Sequence, residues 1–232
     1  MLKFYVVGTP IGNMEDITFR AVRILGEVDL VLCEDTRVTK NLLNKYNIKT
    51  PTFSYPSDNL KPGVNKANPK IEYILKQIEE GKTLALVSDA GTPTISDPGS
   101  VLVSKIKEIC PEVEIIAIPG PSAVISALSI SGLNVAEFTF LGFLPHKKGR
   151  ETLFKEIAES ERVMVFYESP HRIMKALSSL VKFAPEKKVT IARELTKVFE
   201  QVIAGIPAEV EKYFTDNGDK VRGEFVVLVS GK

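Results

Sequence analysis

The sequence has no tryptophan and only two cysteines and two histidines among its 232 residues. Cys33 and Cys110 make no disulfide framework, and with His146 and His171 they make no metal-ligand spacing. A reducing compartment and no metal site are therefore expected. An excess of charge of one sign is also missing. Thirty Lys and Arg against 29 Asp and Glu leave a net charge of +1. That speaks against a cationic coat for nucleic acid and leaves room for a local basic patch. No apolar run reaches bilayer-spanning length, and no basic n-region with an apolar h-region opens the chain. Neither a membrane span nor a secretory signal is expected, and the chain is expected in the cytoplasm.

Familiar nucleotide and hydrolase motifs are absent too. Gly8-Thr9-Pro10-Ile11-Gly12 does not have GxGxxG spacing, and Pro10 removes backbone freedom that a dinucleotide loop needs. There is no GxxxxGK[ST] loop and no GxSxG elbow. His171 follows Ser169-Pro170 and reads as a helix-start residue, with Ser169 as cap and Pro170 as first helical position. His146 sits in a solvated basic loop, Pro145-His146-Lys147-Lys148-Gly149-Arg150. Cys33 reads as a small buried hydrophobe.

What the chain does have is an ordinary globular balance, 44% hydrophobic and 25% charged, and a stretch around which the rest is arranged. In Leu84–Gly99 (LALVSDAGTPTISDPG), a short unbroken apolar run turns polar within one residue, and a helical pattern follows. A strand buried on both faces, ending in a Gly/Pro-rich loop, is how open α/β sheets build ligand crevices. The same layout recurs. Leu2–Val7 ends in Gly8–Asn13, and Asp29–Cys33 runs into Glu34-Asp35-Thr36-Arg37. Val113–Ile118 ends in Pro119-Gly120-Pro121-Ser122-Ala123. Helical periodicities lie between, capped by Asp16 or Thr18 in the first case and stopped by Gly81 in the third. Thr52–Tyr55 is a weak strand, and 56–68 is an exposed loop. Strand–helix alternation predicts a mostly parallel sheet.

After Gly132 the character changes. Phe138–Phe143, Arg162–Tyr167, Lys188–Ala192, Lys197–Gly205 and Glu224–Val229 read as strands. Helices are expected at Arg150–Ser160, Pro170–Phe183 and near Glu209–Phe214. The third and fourth of these strands are close enough to form a hairpin, so this second sheet is mixed. The fold class expected is α/β with two lobes, 1–120 with a mostly parallel sheet and 121–232 with a mixed one. A cleft is expected between the lobes. The repeat of Gly-Thr-Pro at 8–10 and 91–93 reads as a coincidence of turn chemistry.

The stretches GTPIGNMEDITFRA, DLVLCEDTR, LVSDAGTPTISDPG, PGPSAVISAL, GFLPHKKGR, FYESPHRI and IARELTKVFE occur in this order from about Phe4 to Val229. Together they resemble the small-subunit ribosomal RNA cytidine 2′-O-methyltransferases. These belong to the tetrapyrrole-methylase superfamily, the class III S-adenosylmethionine-dependent methyltransferases. The resemblance implies S-adenosylmethionine, strongly folded, in the interlobe cleft of a homodimer, and 16S rRNA within the small ribosomal subunit as substrate. Carried over by position, Pro10, Asp89, Gly91, Thr92, Ser122, Ala123, Tyr167 and Ala192 would form the cofactor shell, much of it through backbone. Two departures stand out. A His-acid-His-Asn stretch of the family is replaced here by Pro56-Ser57-Asp58-Asn59. Many members also continue into a small helical extension, whereas this sequence stops at Lys232, either lacking that extension or cut before it.

A ribose 2′-hydroxyl is a poor nucleophile when neutral, so a base or acceptor should help it. Glu34 or Asp35 is the candidate, with Arg37 and Asn13 orienting the ribose or phosphate. The competing reading has Glu34 and Asp35 capping a helix and pairing with Arg37. Lys147, Lys148 and Arg150 form a candidate patch for RNA phosphates. Two other functions remain open: a same-fold methyltransferase with a tetrapyrrole or protein acceptor, and a non-catalytic cofactor- or RNA-binding module.

Overall fold

The apolar runs become strands of two five-stranded sheets in the computed structural model, which describes residues 2–55, 68–97 and 99–231. The loop expected at 56–68, with the departure at Pro56–Asn59, lies outside the described residues except for Asn68. The chain divides into two compact units, Met1–Ser122 and Ala123–Lys232.

In the first unit, β1 (Lys3–Val7), β2 (Leu30–Cys33), β3 (Thr52–Ser54), β4 (Leu84–Leu86) and β5 (Glu114–Ile118) lie in the order β3-β2-β4-β1-β5. Every pairing is parallel. β2 and β4 are buried at every position, as a strand covered on both faces must be. Four helices cover the sheet: α1 (Phe19–Glu27), α2 (Thr36–Lys45), α3 (Pro69–Glu79) and α4 (Ser100–Ile109). The first three begin at side-chain caps, where Thr18, Asp35 and Asn68 accept backbone N–H groups of the first turn. Each satisfies a donor that the helix itself leaves orphaned.

Strand order fixes which face each helix covers. From β1 the chain travels through α1 and α2 toward the β3 edge, then turns back through α3 and α4 toward β5. Right-handed crossovers put helices on opposite faces when the direction of travel reverses. Accordingly, Ala21, Ile24, Leu25 and Leu43 pack with Tyr5, Val7, Val31 and Ala85 on one side. Ile71, Ile74, Leu102 and Ile106 pack with Phe4, Leu32, Leu84 and Leu86 on the other. The reversal makes β4 a switch point, because both neighbours, β1 and β2, send their loops to the opposite face. That is where an open α/β sheet has its crevice.

In the second unit, α5 (Ala123–Ile130) precedes β6 (Phe138–Phe143), α6 (Arg150–Glu159), β7 (Val163–Glu168) and α7 (Ile173–Phe183). Then come β8 (Val189–Arg193), β9 (Gln201–Gly205), α8 (Pro207–Asp216) and β10 (Phe225–Val229). The order is β6-β7-β10-β8-β9. Only β6 and β7 run parallel; the other pairings are antiparallel. The sheet is mixed, and β8 and β9 form the expected hairpin. α7 starts at Ile173, later than the Pro170 expected from Ser169-Pro170. The turn is held instead by Ser169 O, which accepts from the N–H groups of Arg172 and Ile173. α6, α7 and α8 bury Phe154, Ile157, Leu177, Leu180, Val210 and Phe214 against Phe166, Ile191, Phe225 and Val227 on one face. Thr190 alternates with Ile191 and so points to the other face. It is fully buried, and its hydroxyl has no hydrogen-bond partner among the described residues. A buried unsatisfied hydroxyl costs roughly 1–3 kcal/mol. Thr190→Val should therefore raise stability by about 1 kcal/mol, read as a melting temperature higher by about 2–4 °C.

Candidate functional site

Three of the loops at the carboxyl edge of the first sheet are joined by backbone. Thr9 N–H donates to Gly91 O at 2.9 Å, and Gly91 N–H donates back to Thr9 O at 3.1 Å. The buried Thr9 hydroxyl also donates to Ser88 O at 3.0 Å. The two Gly-Thr-Pro turns are thus partners, a correction to their interpretation as coincidence. The threonine of the first turn pairs with the glycine of the second in an isolated antiparallel bridge. On the other side of β1, Gly8 and Gly120 lie back to back. A Cβ on Gly8 would come within 2.8 Å of the Gly120 backbone, and one on Gly120 within 2.9 Å of Gly8. Only glycine allows this approach. Thr92 Oγ1 donates to Pro121 O at 3.4 Å. Pro10, Gly91, Thr92 and Ser122 therefore belong to one cradle built mainly of backbone.

The loop after β4 is held from within. Ser88 Oγ accepts from Ala90 N–H at 3.1 Å and donates to the Asp97 carboxylate at 2.8 Å. Thr94 and Ser96 adopt positive φ values of 75° and 60°. Such conformations are uncommon for side-chain-bearing residues and cluster at ligand sites. The Asp97 carboxyl is raised by burial and by the neighbouring Asp89 charge.

Across the crevice, the two acids after β2 have different surroundings. Asp35 caps α2 through Arg37 N–H at 2.8 Å. It also takes the Arg37 guanidinium on both carboxylate oxygens. Hydrogen bonds from Arg37 lower its pKa to about 2. Asp35 N–H donates to Asp89 Oδ1 at 3.1 Å, which ties this loop to the one after β4. Glu34, half-buried, is pushed up to about 7 by desolvation, then by the charges of Asp97 and Asp89. Asn13 caps the short 3-10 turn Met14–Asp16 by accepting Glu15 N–H at 3.1 Å.

The remaining candidates lie in the second unit. Tyr167, Val226 and Ala192 occupy one row across β7, β10 and β8, and Ala123 opens α5. Lys147 and Lys148 are exposed in the loop before α6. Arg150 differs from them. Its guanidinium binds the carboxylate of Glu168 at 3.2 Å, and the side chains are 15% and 0% exposed. Glu168 also binds Arg172 at 2.7 Å. Sequence reasoning did not single out Glu168 or Arg172. A lone glutamate closing a buried strand was the available signal for the first of these. A groove of about 1020 Å³ opens at the far ends of β6 and β7, lined by Glu137, Thr139, Glu156, Arg162 and Ser230. It contains none of the candidate residues, and its Glu137 and Arg162 are paired with each other. No helix among the described residues is long and apolar enough to cross a membrane.

The Gly/Pro cradle thus sits at the switch point of the first unit's doubly wound sheet. The family model for tetrapyrrole (corrin/porphyrin) methylases matches residues 3–210, and the chain belongs to that family. It is 45% identical over 232 residues to ribosomal RNA small subunit methyltransferase I of Thermotoga maritima, covering all of both chains. The protein of the same name from Vibrio cholerae is 44% identical over 230 residues, 98% of this chain and 76% of that one. Among solved structures, the methyltransferase CobJ superposes with a TM-score of 0.69 at 18% identity, over 100% of this chain and 95% of that one. That likeness is one of fold.

Two outcomes test this geometry. Gly120→Ala should destabilise the protein by roughly 1–3 kcal/mol, because neither backbone can move away without breaking the sheet. Thermal melting reads it. For Glu34, the folded pKa of about 7 lies above the ordinary value of 4.5. The folded state then binds the proton more tightly, and ionised Glu34 lowers stability from pH 4.5 upward, in full above about 7. Glu34→Gln should melt above the wild type at pH 8, and the difference should vanish near pH 4.

Proposed function

We propose that this chain transfers a methyl group from S-adenosylmethionine to a cytidine 2′-hydroxyl of 16S rRNA in the small ribosomal subunit. The observation that carries the catalytic part is Glu34. It is an acid beside the cradle whose proton affinity lies near neutrality, whereas its neighbour Asp35 is committed to Arg37 and the start of α2. The full-length 45% identity to a protein named for small-subunit rRNA methylation supports the substrate class. We read the acceptor as ribose rather than base, and the protein as a homodimer, from the family resemblance, and its place as the cytoplasm from its sparse, unpaired cysteines.

S-adenosylmethionine supplies an electrophilic methyl on a sulfonium, and transfer to oxygen is an in-line displacement. The cradle suits such a ligand. Its closely packed glycines and prolines offer backbone to a folded molecule, and Asp89 is an exposed carboxylate able to accept hydroxyl hydrogens. Pro10, Gly91, Thr92 and Ser122 of the first unit would hold it. The protein's work is alignment and exclusion of water from a reaction that disperses charge. Ionised Glu34 would accept the 2′-hydroxyl proton as the oxygen attacks, a role that wants a pKa near the working pH. Arg37, already oriented by Asp35, would face phosphate or ribose. Asn13 would do so only with whatever capacity its cap leaves.

Incubation with labelled S-adenosylmethionine and assembled small subunits, naked rRNA or a tetrapyrrole separates the functions. Label in subunit RNA is expected. Label in the tetrapyrrole, or tight cofactor binding without transfer, would contradict it. The single-turnover rate should rise with pH through about 7. In Glu34→Gln it should fall by about 10²–10⁴ with cofactor affinity kept. Full activity in that variant would remove Glu34 from the mechanism.

A further inference from the structure

We infer that Phe143 is a stacking platform for an unpaired RNA base, flanked by phosphate contacts from Lys147 and Lys148. The inference rests on the rRNA substrate proposed above. Phe143 ends β6 and is 57% exposed, which leaves a ring face open to solvent. The ring is not loose. It lies against Tyr167, with centroids 5.4 Å apart at 59°, while Phe140 meets the same tyrosine edge-on at 5.0 Å. An irregularity in the β6–β7 register between Phe140 and Phe143, with Gly142 at φ +63°, changes the strand's alternation and lets Phe143 sit opposite Tyr167.

The chain beyond the ring is fixed by one buried carboxylate. Glu168 binds Arg172 and Arg150 together. Arg172 donates to Leu144 O at 2.9 Å, and Arg150 donates to Pro145 O at 3.2 Å. These are the two carbonyls directly after Phe143. Breaking a buried ion pair on one side leaves an uncompensated charge, so this arrangement resists distortion. It makes Arg150 a strut, not a phosphate contact. Lys147 and Lys148 remain exposed, at most about 14 Å of extended chain from Phe143 in the case of Lys147. An aromatic face beside exposed cations is the combination that grips single-stranded nucleic acid. The same chemistry explains why net charge alone did not reveal it.

The probe is a short unstructured oligoribonucleotide carrying 2-aminopurine, with binding and fluorescence quenching measured without turnover. Wild type should bind and quench. Phe143→Ala should bind about tenfold more weakly and lose the quench. Phe143→Trp should keep both, and Phe143→Leu, which retains apolar bulk without a ring face, should not. Lys147→Gln with Lys148→Gln should lower the salt slope by about 1.4 and keep the quench at saturation. Cofactor affinity should be unchanged throughout. Equal binding and quenching by Phe143→Ala and wild type would overturn the inference. So would a change in sedimentation of Phe143→Ala with RNA affinity unmoved, which would assign the ring to a second copy of the chain. Absence of wild-type methyl transfer to small subunits, with quenching intact, would instead overturn the substrate proposed above.

Discussion

The pairing of Thr9 with Gly91 is the contact on which the first unit's site depends. Two backbone hydrogen bonds join the loops that leave β1 and β4 for opposite faces of the sheet. The switch in winding direction opens a crevice there, and this bridge closes one side of it. Because the contact is made of peptide groups, its strength does not rely on a particular side chain. On the other side of β1, Gly8 and Gly120 bring the loop after β5 equally close. The cradle for a small ligand follows from those approaches.

Electrostatics then sort the acids that the cradle brings together. Glu34, Asp35, Asp89 and Asp97 crowd one edge of the sheet, and like charges in a partly desolvated space cannot all be held equally well. Arg37 and the first turn of α2 stabilise Asp35 as an anion. Ser88 hydrogen-bonds Asp97. Glu34 has burial and the charges of Asp97 and Asp89 against ionisation, and its proton affinity rises. One helix cap therefore separates two adjacent carboxyl groups by role. In the second unit a comparable division separates three cations. Glu168 immobilises Arg150 and leaves Lys147 and Lys148 to solvent.

Much of the fold was legible in the sequence because strands buried on both faces read as unbroken apolar runs, as in Leu30–Cys33 and Phe225–Val229. Turn chemistry marked where each ended. Caps were legible where a side chain does the capping, as at Thr18. α7 begins three residues after Pro170, although Ser169-Pro170 has the residues of a helix start. The site was legible as a set of loops and not as a set of contacts. Nothing in one dimension shows that the turns at 8–10 and 91–93 bond to each other, or that Gly8 faces Gly120. Nor could the sequence choose between Glu34 and Asp35, since both follow the same strand and only one reaches the helix's first amides.

The central claim is methyl transfer to a ribose oxygen of small-subunit rRNA, and nucleoside mass spectrometry tests it most directly. Small subunits lacking the modification would be incubated with the protein and S-adenosylmethionine, and their rRNA digested to nucleosides. A new 2′-O-methylcytidine signal is predicted. A methyl group on a base atom, or no gain in mass despite bound cofactor, would contradict the account.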